Sequence, residues 1–214
     1  MAEITWHGHA CFTITSRDVT VLMDPVPSSL GFNIGNSSPD IVTVSHDHSG
    51  HSALDQVSDG YRLINGPGEY EIQDVLIDGI QTYHDGERGK QYGKNTVYLV
   101  EVEDLIICHL GDIGHVLTEQ QAEMISAVDV LLVPAGGGPT ISPAQAAEII
   151  AQVEPGIVIP MQHRTEFGDL EREPVDGFLK ELASSEHEVL PKLRVRKSDV
   201  GESVRIVVLE PVAG

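Results

Sequence analysis

The sequence predicts a layered α/β fold held in one domain over residues 1–214, and three observations carry the prediction. The first half alternates β-branched and apolar residues around short turns, as antiparallel hairpins do. The second half interleaves short, continuous apolar runs with helix-start signals, as buried strands joined by helices do. No internal repeat, low-complexity tract or linker breaks the 214 residues, a length that buries one sizeable core without disulfides or oligomerisation.

In chain order, CFTIT (11–15) and VTVLMD (19–24) flank the turn-like Ser16-Arg17-Asp18 and predict a hairpin. Residues 25–40, PVPSSLGFNIGNSSPD, lack periodicity and predict a surface loop able to border a site. IVTVS (41–45) resumes a strand. Over 61–83, YRLI and EYEIQDVLIDGIQTY around the turn NGPGE predict two or three antiparallel strands. DGERGKQYGKN (85–95) reads as a polar, glycine-rich loop, and TVYLVEV and LIICHL flank Glu103-Asp104 as another hairpin. Thr118-Glu119-Gln120-Gln121 and Ser142-Pro143-Ala144-Gln145 each place a glutamine three residues after a hydroxyl N-cap, so both open helices. DVLLVP (129–134) and GIVIPM (156–161) read as strands buried on both faces. A helix over Pro174 to Ser184 and a strand at SVRIVVLE (203–210) complete the prediction.

Acidic residues number 33 against 13 basic ones, for a formal net charge of -20, which leaves no electrostatic footprint for nucleic acid or an anionic membrane. A halophilic source would produce the same acidic surface. Cys11 and Cys108 both lie in apolar runs and make no disulfide framework. The opening residues lack the basic start and apolar stretch of a signal peptide, and no apolar run approaches the roughly 18 residues of a membrane span. The expectation is a cytoplasmic protein.

The chemistry concentrates at the downstream ends of predicted strands. Asp24 ends VTVLMD, His46 ends IVTVS, His84 follows IQTY, Asp112 ends LIICHLGD and His163 ends GIVIPMQH. In layered α/β folds these ends line the crevice where ligands bind, so residues distant in sequence can converge. Within SHDHSGH (45–51), His46 and His48 can turn two imidazoles toward one ion while His51 emerges on the other side of the turn. That geometry offers ligands to two neighbouring ions, which a carboxylate such as Asp112 can bridge.

HDHSGH resembles the H-x-H-x-D-H signature of the metallo-β-lactamase fold superfamily of hydrolases. TVLMDP, QTYHDGERG, HLGDIGHVLT and VIPMQHRT stand in the order and spacing of that family's other motifs. ITWHGHACFTI resembles the start of its small single-domain Zn-dependent hydrolase branch, related to the L-ascorbate-6-phosphate lactonases, and the resemblance runs from about residue 3 to 209. It implies a four-layer αββα sandwich with a metal site at one edge. His46, His48 and His84 would hold the first metal, Asp112 would bridge to the second, and His51 would serve the second. Asp24 would orient a ligand histidine from behind, and His9 would lie close by without an assigned role.

Two departures from the pattern strike the second metal. The aspartate of the signature is Gly50, and the histidine expected after Ile159-Pro160-Met161 is Gln162, with His163 one place later. A one-residue slip on a strand points a side chain to the opposite face, so His163 can serve only if the backbone turns it inward. The expectation is therefore one ion, Zn2+ with Mn, Fe or Ni as alternatives, and a second that is weak or absent.

The expected activity is hydrolysis of a small ester, lactone or phosphoester by a metal-bound hydroxide, with Asp112 or His51 managing the proton that Gly50 cannot accept. The alternative is a non-catalytic binding or regulatory member of the fold, favoured by Gly50 and Gln162 and opposed by the intact histidine triad with Asp112. A nuclease lacks its basic face here, and a serine hydrolase lacks its G-x-S-x-G elbow. His115 is expected to border the pocket and His109 to be structural. Gly136-Gly137-Gly138-Pro139 reads as a turn before an anion cradle, and Arg88 and Lys90 read as solvated loop charges.

Overall fold

In the computed structural model, every residue is described except 36, 184, 185, 202, 213 and 214. The chain begins with β1 (Ala2–Trp6), β2 (Phe12–Thr15), β3 (Thr20–Met23), β4 (Ile41–Thr43) and β5 (Arg62–Ile64), followed by β6 (Gly68–Ile72), β7 (Val75–Tyr83), β8 (Lys94–Val102) and β9 (Leu105–His109). It continues through α1 (Glu119–Met124), β10 (Val130–Pro134), α2 (Pro143–Val153), β11 (Ile157–Met161) and α3 (Val175–Glu181), and ends with β12 (Glu188–Leu190), β13 (Leu193–Val195) and β14 (Arg205–Leu209). These strands form two sheets, in the orders β13-β1-β2-β3-β4-β5 and β12-β14-β11-β10-β9-β8-β7-β6.

Local chemistry accounts for the elements. The predicted hairpin of β2 and β3 pairs Phe12 with Met23 and Thr15 with Thr20. Glu103 and Asp104 both adopt left-handed backbone, at φ +52° and +65°, the two-residue turn whose twist suits a β8–β9 hairpin. Thr118 and Ser142 each cap a helix through a reciprocal box with Gln121 and Gln145. Helix α2 then buries Ala146, Ile149, Ile150 and Val153, a single stripe at helical spacing. That stripe packs with Leu131, Val133 and Val158 on the outer face of the second sheet, and each buried isoleucine contributes about 2 kcal/mol.

The main core lies between the sheets. Trp6, Phe12 and Ile14 come from one side, and Ile77, Tyr98, Ile107 and Leu132 from the other. The Tyr98 hydroxyl crosses this core to donate to the Val44 carbonyl at 3.0 Å, which ties the sheets together beside the site.

The architecture is the predicted αββα sandwich, with one outer layer reduced. All three α-helices among the described residues contribute to the cluster on the second sheet's outer face, where Ala122, Ile125, Phe178 and Leu179 join the α2 stripe. The first sheet's outer face is covered instead by the segment after β3, with short 3₁₀ turns at Ser28–Leu30 and Leu54–Gln56. The segment 25–40 does border the site, with Ser29, Leu30 and Gly31 lining the cleft beside His9 and His48, but it is more than a surface loop. Val26, Phe32 and Ile34 are buried against Leu22, Val42 and Val44, because that sheet face would otherwise expose its apolar residues.

Residues 61–83 also differ from expectation. β5 pairs parallel with β4 in the first sheet, while β6 and β7 form an antiparallel hairpin in the second. NGPGE is thus a crossover between sheets. The last helix ends at Glu181, and Ser184 lies outside the described residues. β1, β12 and β13 are not among the predicted elements, although Ala2–Trp6 alternates buried and half-buried residues as a strand does.

Candidate metal centre

Asp24, His46, His84, Asp112 and Gln162 follow the downstream ends of β3, β4, β7, β9 and β11 within three residues. The topology brings them together. Ligating atoms of His46, His48 and His51 lie within 4.8 Å of one another, and so do those of His46, His84 and Asp112. The two groups share His46, so they form one centre.

Hydrogen bonding sets which ring nitrogens carry lone pairs. Ser45 Oγ has one proton, which it donates to Asp24 Oδ2 at 2.6 Å. The contact between Ser45 Oγ and His46 Nδ1 at 3.0 Å must then be donated by Nδ1–H, leaving His46 Nε2 unprotonated when the ring is neutral. His46 Nε2 is buried without a hydrogen-bond partner, 3.8 Å from Asp112 Oδ2. His84 Nε2 stands 3.0 Å from the same oxygen. A bare nitrogen facing a carboxylate and a second imidazole is a costly arrangement without a cation and a normal one around it. The donor set therefore fits a metal ion of the imidazole-binding kind.

His51 occupies the other side of Asp112. Its Nε2 lies 3.1 Å from Asp112 Oδ1 and its Nδ1 2.7 Å from Asp24 Oδ2. Asp24 also accepts the Ser45 amide at 2.7 Å, so it orients His51 and anchors the loop that carries His46. Gln162 is fully buried, has left-handed backbone, and donates its amide to Asp112 Oδ1. The strand end thus turns Gln162 inward, and His163 is not brought to the centre. His163 packs against the Trp6 ring at a centroid distance of 4.9 Å, with Nδ1 donating to the Arg164 carbonyl.

His9, in the loop after β1, belongs to the centre. Its Nε2 lies 3.1 Å from His51 Nε2, and its Nδ1 meets both Asp169 oxygens at 2.9 and 3.1 Å. The His9 carbonyl accepts from the Trp6 indole and the Gln162 backbone N–H. Sequence reasoning missed Asp169 and Asn95. Asn95 accepts from the Asp112 N–H and donates to Thr82 Oγ1 and the Leu110 carbonyl, fixing the bridging carboxylate. Neither carries a local sequence signal, since each acts across a loop or sheet.

His115 spends Nε2 on the Tyr83 N–H and Nδ1 on the Val116 carbonyl, bracing the residue before His84. His109 is buried and bonded to the Ala10 carbonyl, as a structural residue would be. A Cβ on Gly136 would stand 2.1 Å from the Gln162 carbonyl oxygen, so this glycine permits close packing beneath the centre. A cleft of about 490 Å³ opens beside His9 and His48, lined by Leu30, Phe167, Leu170 and Arg172 among others.

The electrostatics suit cation binding. Burial, reinforced by His51, pushes the His46 imidazole down to about 4, keeping it neutral at physiological pH as a ligand must be. At His51, burial disfavours charge, but Asp112 and Asp24 outweigh it and push the group up to about 10. Burial would raise Asp112, yet His51 and the bonds from His51 and His84 hold it well below the usual carboxylate range. A positive charge between the two carboxylates is what this pocket stabilises.

Comparison with known proteins agrees with the geometry. Residues 3–162 match the β-lactamase superfamily domain. A UPF0173 protein of Pyrococcus furiosus is 32% identical over 89% of this chain and 95% of its own. A UPF0173 metal-dependent hydrolase of Nitratidesulfovibrio vulgaris is 30% identical over 95% of each. A crystal structure from Thermotoga maritima, assigned as a Zn-dependent hydrolase of the metallo-β-lactamase superfamily, superposes with a TM-score of 0.81 at 36% identity, covering 98% of this chain and 99% of that one.

Proposed function

The chain belongs to the metallo-β-lactamase superfamily, and from that premise we propose that it is a metal-dependent hydrolase of a small ester, lactone or phosphoester. The observation that carries this reading is the buried, unpartnered His46 Nε2 facing Asp112 and His84. His46 and His84, with Asp112, would hold the working ion, and His48, grouped with His46 and His51, would turn toward it through the His46 it shares; Zn2+ suits this donor set best, with Mn, Fe or Ni as alternatives. Bound there, such an ion would supply Lewis acidity, activating water and polarising a substrate carbonyl or phosphoryl oxygen.

The chain's own residues do the rest. Asp112, whose Oδ2 lies 3.0 Å from His84 Nε2 and 3.8 Å from His46 Nε2, would be the carboxylate placed to accept a proton at the ion, because Gly50 offers no acceptor. His51 faces Asp112 Oδ1 at 3.1 Å and is itself held by Asp24, so the charge that passes through Asp112 is balanced from behind. Gly50 and Gln162 leave the neighbouring metal position short of its expected donors, which makes the His46 side the strong one. The cleft beside His9 and His48 is sized for a small molecule, and its apolar Leu30, Phe167 and Leu170 suit the non-reacting part of the substrate. With 33 acidic residues, neither nucleic acid nor an anionic membrane is a proposed partner. No helix among the described residues is long and apolar enough to cross a membrane, and the free, buried Cys11 and Cys108 support a reducing, cytoplasmic setting.

The test is hydrolysis of p-nitrophenyl esters, a γ-lactone series and bis-p-nitrophenyl phosphate by protein reconstituted with Zn2+ or Mn2+. Turnover of one class that is lost with chelator and in His84→Ala supports the proposal. Full metal loading without turnover of any class speaks for a non-catalytic binding protein.

A further inference from the structure

Gly50 stands where the family signature carries a metal-binding aspartate, and the structure shows what fills the space. A Cβ built on Gly50 would lie 3.2 Å from His9 Nε2 and 3.3 Å from His48 Nδ1. The missing side chain therefore gives the His9 and His48 rings a few tenths of an ångström that a Cβ would take, and His9 Nε2 lies 3.1 Å from His51 Nε2. Both rings are tied from behind by carboxylates, His9 Nδ1 by Asp169 and His51 Nδ1 by Asp24. A histidine held this way donates Nδ1–H and presents Nε2 as a lone pair, the arrangement that orients metal ligands. Without a cation the 3.1 Å contact between the two Nε2 atoms holds a proton, with Asp112 Oδ1 also 3.1 Å from His51 Nε2, and a metal ion entering there would displace that proton and take both lone pairs. Ligands about 2.1 Å from one ion stand roughly 3–3.4 Å apart, close to both spacings; His9 is in neither three-residue group with all ligating atoms within 4.8 Å of one another, so its ring has to swing toward Asp112 for the three to share an ion. The fully buried Gln162 beside them has its Oε1 without a partner, and rotation of its amide would offer that oxygen to the same ion.

We propose that His9, positioned by Asp169 and given room by Gly50, replaces the absent carboxylate as a ligand of a second metal ion that it shares with His51 and Asp112. This ion binds more weakly than the one on His46, His48 and His84, because its set trades a carboxylate for an imidazole and a histidine for an amide. Asp169 is the positioning residue. The proposal rests on reading the cluster as a metal centre, and its test separates the two.

Chelator-treated protein is titrated with Zn2+ by calorimetry, with metal content measured in parallel. Two equivalents are expected for the unmodified chain, the second at least about 10-fold weaker. His9→Ala should keep the first equivalent and lose the second. Asp169→Asn should weaken only the second, by about 10–100-fold. Gly50→Ala, which crowds His9, should weaken it as well. Retention of the first equivalent shows that a variant is folded, and Asp169→Asn stands in if His9→Ala does not fold. One equivalent in the unmodified chain, or a second that is unchanged in both His9→Ala and Asp169→Asn, overturns the proposal while leaving the hydrolase reading intact. Two equivalents with that His9 dependence but no turnover of any substrate sustain it and sink the hydrolase reading.

Discussion

The two oxygens of Asp112 face two half-sites built on different principles. On the Oδ2 side, His46 and His84 arrive within three residues of the ends of β4 and β7, with Asp24 and Ser45 holding the first and His115 bracing the residue before the second. On the Oδ1 side, His51, Gln162 and His9 depend on contacts between loops, including a His9–Asp169 pair 160 residues apart in sequence. The proposed strength of the first half follows from delivery close to strand ends, whereas the second depends on its loops holding one another. Absence of the motif's aspartate, with Gly50 in its place, is the loss that the proposed His9 ligand would answer on the second side from outside the motif.

The sharpest way to break the contrast is His84→Ala. It should remove the tightly bound ion and lower hydrolysis at least about 100-fold, beyond what loss of a supporting residue does. Because Asp24 holds His51 independently of His84, the variant should still fold, as checked by circular dichroism alongside metal content. If it binds metal as tightly as the parent, the assignment of the Oδ2 half is wrong.

Asp24→Asn attacks the opposite half through its foundation. Asp24 accepts from the Ser45 amide, the Ser45 hydroxyl and His51 Nδ1 while almost wholly buried. Removing its charge leaves buried donors and the His51 ring uncompensated, a change that costs about 3 kcal/mol. Urea unfolding of the metal-free protein should show that loss. A variant as stable as the parent would mean that Asp24 does not organise the loop carrying His46 and His51.

These differences mark how far the sequence could be read. The hairpin around Glu103-Asp104, both capped helices, and the doubly buried β10 and β11 rest on local chemistry that operates within a few residues, so they were legible. Placement of β5 in the opposite sheet from β6 was not, because pairing partners are decided by sheet-scale packing. At the site, His46, His48, His51, His84, Asp112 and Asp24 follow from motifs at strand ends. That Gln162 and not His163 turns inward depends on one left-handed residue at the end of β11, which no periodicity encodes. Asp169 lies in a polar loop with nothing local to single it out, and only its contact with His9 gives it meaning.

Asn95→Ala probes the carboxylate that both halves share. Its side chain accepts from the Asp112 N–H at 2.9 Å and donates to Thr82 Oγ1 at 2.8 Å and Leu110 O at 2.9 Å, all buried. Truncation strands these partners and should cost about 2 kcal/mol. Affinity should fall for metal on both sides of Asp112, by about 10–100-fold. A fall confined to one side in a calorimetric titration would show that the two oxygens are positioned independently.

The smallest effect is expected at Asp85, next to His84, where a carboxylate gathers the 85–92 loop by accepting from the Glu87, Gly89, Gln91 and Tyr92 amides. These bonds, the Tyr92 one foremost, hold Asp85 down at about 2, below the roughly 3.9 of an unfolded aspartate. A depressed carboxylate stabilises the fold above its unfolded value and loses that contribution as pH falls through its folded one. Asp85→Asn should therefore lower the stability of metal-free protein above about pH 4, with the difference from the parent closing as pH falls toward about 2. Thermal unfolding followed across that window checks the sign. A gap that persists unchanged to the acid end would show that Asp85 organises the loop by shape alone, and that the approach of His84 owes nothing to its charge.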